Sequence, residues 1–395
     1  MDSLNREPAI AKHVRYLYVN PYFNAQCGDL RWDQSWNRSL LQKGLFNTFL
    51  KSLGKFPLSG TFNKGHAINE MLQALVAAVK HMSNVTELTI DWWQHPAARH
   101  FEPFLPIAWE ACRAAVETLT LGGTLEGVKQ LVLHLDMMTA PPALKLQELR
   151  LNFAQVCGQF GPNKTDAFVL QHTIAPFINS LAPQLRGISI SSRSVQLDLS
   201  PLFADLVHSF PLLCHFSIHV PFRAAFLSDY VCLTHFLLRH SKTIRTASLD
   251  FTPISTPSPV YMQKDDPLAR WLKEVISDND AILPHLRSLV LYPTHLSAGF
   301  AALQSLVERS VSTLTTLAIR RYRLSYDDLT ALLGIFSRRA TDTRLVCLCI
   351  ETHRLDPPLL DMLAANLPGL RELSLRLPNI TCVSLSFLIR PTLLK

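Results

Sequence analysis

Leu286-Arg-Ser-Leu-Val-Leu291 decides the reading of this chain, because its spacing recurs from one end to the other. The pattern is apolar-x-x-apolar-x-apolar. It stands at Val14/Leu17/Val19, Val85/Leu88/Ile90, Val116/Leu119/Leu121 and Leu146/Leu149/Leu151. It continues at Leu185/Ile188/Ile190, Leu213/Phe216/Ile218, Ile244/Ala247/Leu249 and Leu286/Leu289/Leu291. The last three copies are Leu314/Leu317/Ile319, Leu345/Leu348/Ile350 and Leu370/Leu373/Leu375. After the first copy the spacings are 31, 30, 39, 28, 31, 42, 28, 31 and 25 residues, a regularity that scattered leucines would not hold. The last two apolar positions of each copy alternate with polar ones, the period of a strand with one buried face. One more copy, Val128/Leu131/Leu133, falls out of phase and reads as a connecting segment.

Between the strand motifs the apolar spacing becomes helical. Ile68, Leu72, Leu75, Val76 and Val79 share one side of the segment from Ile68 to Met82. Leu268 to Ile276 follows Asp265-Asp266-Pro267, an acidic helix start with proline in the first turn. Tyr326 to Phe336 and Leu359 to Leu367 read the same way. Each unit is thus strand, turn, helix and return. One unit cannot bury its apolar face alone, whereas stacked units share a continuous core. Strand-helix-strand connections favour parallel pairing. The expected fold is α/β, a curved solenoid with parallel strands on the concave face and helices on the convex face. An ordinary doubly wound domain has no need of one strand motif so many times over.

Two places break the period. Seventy-one residues separate the first two motifs, and they hold an expected helix from Gln34 to Ser52 and a turn-rich stretch from Gly54 to Gly65. Residues 1–84 therefore read as an N-terminal cap and first repeat with a helical insertion, and residues 85–395 as the array proper. The second break is Thr252-Pro-Ile-Ser-Thr-Pro-Ser-Pro259, expected to open an exposed loop over 252–264 because proline cannot donate to a ladder. Thr252, Thr256 and Ser258 each precede a proline there, in the manner of phosphorylation sites, although a plain flexible loop needs no such role.

This hydrophobic skeleton resembles the leucine-rich-repeat family in its irregular, longer-unit form. The Asn or Cys that usually follows the third leucine is not reproduced regularly, Asn152 coming nearest. At the amino terminus, Arg6-Glu-Pro-Ala-Ile-Ala-Lys-His-Val-Arg-Tyr-Leu17 resembles the junction that leads into the repeat array of many fungal F-box-type proteins. The resemblance implies structural roles for Pro8, Val14, Arg15 and Leu17. It also implies a substrate-recognition receptor of a ubiquitin ligase, with the ligase adaptor and cullin as partners through an F-box. That helical module, opening with Leu-Pro, is absent from this chain. The expectation is a recognition half of such a receptor, or else a scaffold independent of ubiquitin.

Composition sets the remaining bounds. Of 395 residues, 48% are hydrophobic and 17% charged, which excludes a disordered chain. The net charge of +7 is mild, and its basic residues are scattered, so nucleic acid is not the expected partner. The clusters Arg320-Arg321-Tyr322-Arg323 and Arg338-Arg339 read as solvated loops. Met1 to Lys12 has no apolar core of a signal peptide, and Leu206 to Phe222 is too short and interrupted to span a membrane. Eight single cysteines without a CxxC pair suit reduced thiols, so the expected compartment is cytoplasm and/or nucleus.

Catalytic and cofactor chemistry find little support. Gly158-Gln-Phe-Gly-Pro-Asn-Lys-Thr165 has Asn163 where a phosphate loop needs glycine. His95, His100 and Asp91 lie close in sequence but lack zinc spacing, and Cys347 with Cys349 make two ligands at most. There is no G-x-S-x-G elbow. Neither enzymatic activity nor a cofactor is expected. The alternating outward positions instead define a binding face, on which Arg150, His215, His219, Asp250 and Glu351 are candidate partner contacts. Three strand edges add aromatic and charged anchors: Asp91-Trp92-Trp93, Tyr292, and Arg320 with Tyr322 and Arg323. Trp92 and Trp93 are adjacent and should face opposite ways, one of them into the core.

Overall fold

The computed structural model describes residues 11–20, 64–92, 101–136, 145–154, 164–192, 197–222, 229–253, 271–293, 297–338, 344–353, 355–377 and 380–386. The chain divides into two compact units, Met1–Leu146 and Gln147–Lys395. In the first unit, strands β1 (Tyr16–Val19), β2 (Glu87–Trp92) and β3 (Thr118–Gly123) run parallel in that order. Helices Lys64–Val79, Phe104–Cys112 and Leu125–Asp136 belong to the same unit. The out-of-phase copy of the motif lies in the last of these. Val128 and Leu131 are buried and Leu133 is 46% exposed, so there the spacing served a helix face and not a strand.

The second unit repeats the scheme. Strands β4 (Glu148–Phe153), β5 (Gly187–Ser192), β6 (His215–Phe222) and β7 (Thr246–Pro253) are followed by β8 (Ser288–Leu291), β9 (Thr316–Leu324), β10 (Cys347–Thr352) and β11 (Glu372–Leu377). All eight are parallel and adjacent in chain order. Helical segments alternate with them, including Ser200–Asp205, Tyr230–His240, Ser297–Ser310, Tyr326–Ser337 and Pro357–Asn366. Two helical stretches take a wider π turn, Leu170–Ile174 and Leu272–Ser277. The last of these falls on the helix expected from Leu268 to Ile276.

The repeated motif is also the register. Leu149 stands opposite Ile188, which stands opposite Phe216, and the same row continues through Ala247, Leu289, Leu317, Leu348 and Leu373. Every motif position of the strands from Val85 to Leu375 is buried, none more than 7% exposed. Burying side chains of this size contributes about 1.5–3 kcal/mol each, before the entropy of ordering the chain is set against it. At the entries of β5 to β11 one carbonyl of the preceding repeat accepts two successive N–H groups. Cys214 O accepts from Arg245 N and Thr246 N, both at 2.9 Å, and Arg287 O accepts from Thr315 N and Thr316 N at 2.8 and 3.0 Å.

Arginines tie neighbouring helices together. Arg239, in the last turn of Tyr230–His240, donates to the Leu206 and Val207 carbonyls at 2.8 and 2.9 Å, just past the preceding helix. Arg309 does the same two repeats on, donating to the carbonyls of Ile276, Ser277 and Asn279. A helix end leaves carbonyls without intrahelical partners, and these guanidiniums supply the missing donors.

Three features depart from the reading of the sequence. A twelfth strand, β12 (Ile380–Ser386), pairs antiparallel with β11. Leu377 stands opposite Ile380, so two residues make the return, which is room for a hairpin and not for a parallel crossover. The first two residues of the loop expected over 252–264 are strand instead, because β7 runs on to Pro253 and pairs Thr252 with Pro221 and Pro253 with Phe222. The stretch Arg320 to Arg323 is not a loop past a strand end but lies inside β9. The rest of the 252–264 loop, the Gln34–Ser52 helix, the Pro8 junction and Gly158 to Asn163 lie outside the described residues.

Candidate functional site

In the second unit the motif side chains point into the core and the alternate ones face away from it. Three rows cross this open face. The first begins with Glu148 and includes His215, Thr246, Ser288 and Thr316. The middle row is small throughout its centre: Ser189, Ser217, Ser248, Val290, Ala318, Cys349 and Ser374. The third row, nearest the carboxyl ends of the strands, carries the charge. His219 on β6 faces Asp250 on β7, and Glu351 on β10 faces Arg376 on β11.

Strand β9 brings the arginines to that row. Its pairing with β10 is regular up to Ala318 opposite Cys349, then resumes with Arg323 opposite Glu351, so extra residues of β9 bulge out between these points. Within the bulge Arg321 has φ +56°, a left-handed conformation that costs a residue with a side chain about 1–2 kcal/mol. The Glu351 carboxylate accepts the Arg321 N–H at 2.9 Å and holds the backbone in that state. Tyr322 turns the other way, its ring stacked on Phe300 with centroids 6.0 Å apart and its hydroxyl 3.3 Å from the Asp328 carboxylate. Partial burial, and after it that neighbouring carboxylate, raise the Tyr322 pKa. Just beyond, Ser325 and Asp328 form a reciprocal capping box at the start of Tyr326–Ser337, which anchors the end of the bulged strand.

The electrostatics follow from this placement. Asp250 is only 2% exposed, and burial by itself would raise its pKa. The hydrogen bond and charge of His219, then the charges of Arg321 and Arg320, outweigh burial and bring it below the usual carboxylate value. His219 Nδ1 lies 3.2 Å and the Arg320 guanidinium 3.8 Å from its oxygens. Glu351 likewise sits 3.7 Å from Arg376. The carboxylates lie low, at 2% and 18% exposure, while Arg320 and Arg376 stand out at 45% and 50%. Arg321 and Arg323 are also exposed, and neither forms an ion pair among the described residues.

The expected contacts therefore separate. His219, Asp250, Arg320 and Glu351 come together, with Arg323 at the edge and Tyr322 folded back. Arg150 is on the same face but apart, paired with Glu148 at 2.7 Å on its own strand, and His215 is exposed at the other end of β6 from His219. Tyr292 is a correction: the expected anchor is 4% exposed. Strand β8 ends at Leu291, so alternation no longer directs the next side chain outward, and the ring is buried while the Tyr292 N–H bonds Leu249 O at 3.1 Å. Alternation along the strand places Arg376 on this face, and Arg321 belongs to the Arg320–Arg323 cluster of the sequence; its position here depends on a bulge that no local pattern announces.

The first unit has a separate polar cluster. The Tyr18 hydroxyl donates to Asp91 at 2.7 Å and accepts from the Asn20 amide at 2.9 Å, and burial with the Asp91 charge drives its pKa up. Of the tryptophan pair, Trp92 is the core member at 2% exposure, while Trp93 lies outside the described residues. Thr89 and Thr120, at the positions that alternate with the apolar motif residues, are buried at 2%. A Cβ at Gly122 would fall 1.8 Å from Asp91 Oδ1, and at Gly123, with φ +135°, 1.8 Å from the Trp92 carbonyl oxygen. Those glycines serve close backbone packing at the strand ends.

Among the described residues no group of three or more His, Cys, Asp or Glu could hold a metal ion. No helix among them is long and apolar enough to cross a membrane. The class defined by these observations is an α/β protein built of repeated strand-helix units with parallel strands. No protein-family model matches the sequence, and no curated protein matches it.

Proposed function

We propose that this chain is a non-enzymatic, protein-binding leucine-rich-repeat solenoid acting as the substrate-recognition part of an F-box-type ubiquitin ligase receptor. The carrying observation is the open face of the second unit. Its middle row is small enough for another chain to lie close, and its third row is charged and held in place by buried carboxylates. Such a face supports recognition by surface complementarity, for which no reacting group is needed. A second reading, an interaction scaffold independent of ubiquitin, is favoured by β1. The segment Val14 to Leu17 that carries the F-box resemblance enters a strand that pairs with β2 as the other repeats pair, a role that asks for no F-box.

Affinity capture from native lysate tests both, with the wild-type chain beside Ser217→Trp/Ser248→Trp, which fills the middle row. The ligase reading expects the adaptor and cullin among the captured proteins, with substrates lost from the tryptophan variant. Partners that disappear with the variant but never bring a ligase subunit would establish the scaffold. Capture identical for both chains would remove the face from the function.

A further inference from the structure

We infer that the open face of the second unit receives its partner as an extended acidic peptide, whose carboxylates are held by Arg320, Arg321, Arg323 and Arg376; this rests on the protein-binding reading above. Four arginines converge on the third row from β9 and β11, over two carboxylates that lie beneath them. Asp250 and Glu351 are too deep to meet a partner first, and too few to neutralise the cations above them. They position: Asp250 beside Arg320, Glu351 beside Arg376 and bonded to the Arg321 backbone. What is offered outward is a set of pre-placed guanidiniums, two of them without an ion pair among the described residues.

The choice of carboxylates follows from the residue type. All four cations are arginine, whose planar fork matches a carboxylate with two parallel hydrogen bonds. The strained conformation of Arg321 points the same way, since a left-handed residue with a side chain persists only where surrounding structure holds it. Nucleic acid fits less well. The rings beside the cluster are unavailable for stacking on bases, Tyr292 being buried and Tyr322 covered by Phe300. Strands β9 and β11 are two ladder spacings apart, about 10 Å, which about three residues of extended chain would span. The recognised segment should thus carry acidic residues a few positions apart.

The test is fluorescence anisotropy on the full chain with a short labelled peptide alternating Glu and Ser, a Lys-Ser peptide of equal length, and an oligothymidylate. The acidic peptide should bind and the basic one should not. Binding should weaken about tenfold or more in Arg320→Gln/Arg321→Gln/Arg323→Gln. It should hold in Arg113→Gln/Lys242→Gln/Arg344→Gln, which removes the same charge elsewhere. Wild-type binding should also fall as NaCl rises from about 50 to about 500 mM, a readout that needs no variant to fold. Equal loss in both triple variants would overturn the proposal by reducing it to net charge. Oligothymidylate binding tighter than the peptide and lost in the Arg320 triple would overturn it in favour of a nucleic-acid surface. No peptide binding, with lysate partners still lost from Ser217→Trp/Ser248→Trp, would sink this inference and leave the protein-binding reading standing. Unchanged capture by that variant would remove the reading beneath it.

Discussion

Asp250 and His240 make acid destabilise this protein for opposite electrostatic reasons. Asp250 titrates below its ordinary value, so its contribution is complete above the unfolded carboxylate pKa near 4 and disappears as pH falls through the lower folded value. Asp250→Asn should cost about 1–3 kcal/mol at neutral pH, the worth of hydrogen bonds to a charged group, because the exposed partners can return to water. Denaturant titrations at pH 7 and pH 3 should show the variant's deficit shrinking at the lower pH. His240 is 2% exposed between Phe210 and Phe236, with Nε2 buried and unpartnered, and burial lowers its pKa to about 4. The folded state therefore resists protonation that the unfolded chain accepts below about 6.5, so stability falls as pH drops from there toward 4. At about 1.4 kcal/mol per pH unit the loss is roughly 3 kcal/mol. His240→Phe should flatten that part of the stability-against-pH curve. An unchanged slope between pH 6.5 and 4 would contradict the assignment.

At the scale of the element, the bulge in β9 and the glycine that ends β3 make opposite demands on the backbone. Arg321 occupies a left-handed conformation for which glycine has no steric cost. Arg321→Gly should be neutral or stabilise by up to about 1 kcal/mol, whereas Arg321→Val, branched at Cβ, should destabilise by about 1–3 kcal/mol. Thermal melts of the pair decide whether the strain is present. Gly123 is the reverse case. Its φ of +135° and the Trp92 carbonyl 1.8 Å from a built Cβ leave no room for a side chain. Gly123→Ala should cost more than about 3 kcal/mol, read as loss of soluble protein or of the near-ultraviolet signal of Trp92. The motif predicts both strands correctly; neither the bulge nor the positive φ has a residue signature, since Gly123 looks like any strand-end glycine and Arg321 like any arginine.

For the molecule as a whole, repetition makes stability local. Within each unit a strand contacts the strands before and after it, so damage should spread through neighbours and fade with distance. Leu317→Ala in β9 removes a fully buried leucine between Leu289 and Leu348 and should cost about 2–5 kcal/mol. Hydrogen exchange should speed up in peptides from β8 to β10, while peptides of the first unit keep their wild-type protection. Faster exchange throughout both units would mean that they unfold as one.

The sequence by itself determined the strand motif and the helical spacing between its copies. Both follow from local periodicity, which positions an apolar side chain every second residue of a strand and every third or fourth of a helix. Arg150, His219, Asp250 and Glu351 were placed on the open face by that alternation alone. The tertiary structure decided what periodicity does not encode. It buried Tyr292 where a strand ended one residue early, lengthened β9 so that Arg320 and Arg321 reach Asp250 and Glu351, and folded Ile380–Ser386 back as an antiparallel strand. Each of those outcomes depends on where a strand stops. In β9 that is a relation between residues about thirty apart in the chain, such as Arg321 and Glu351, set by packing across the ladder and not by either residue's own neighbours.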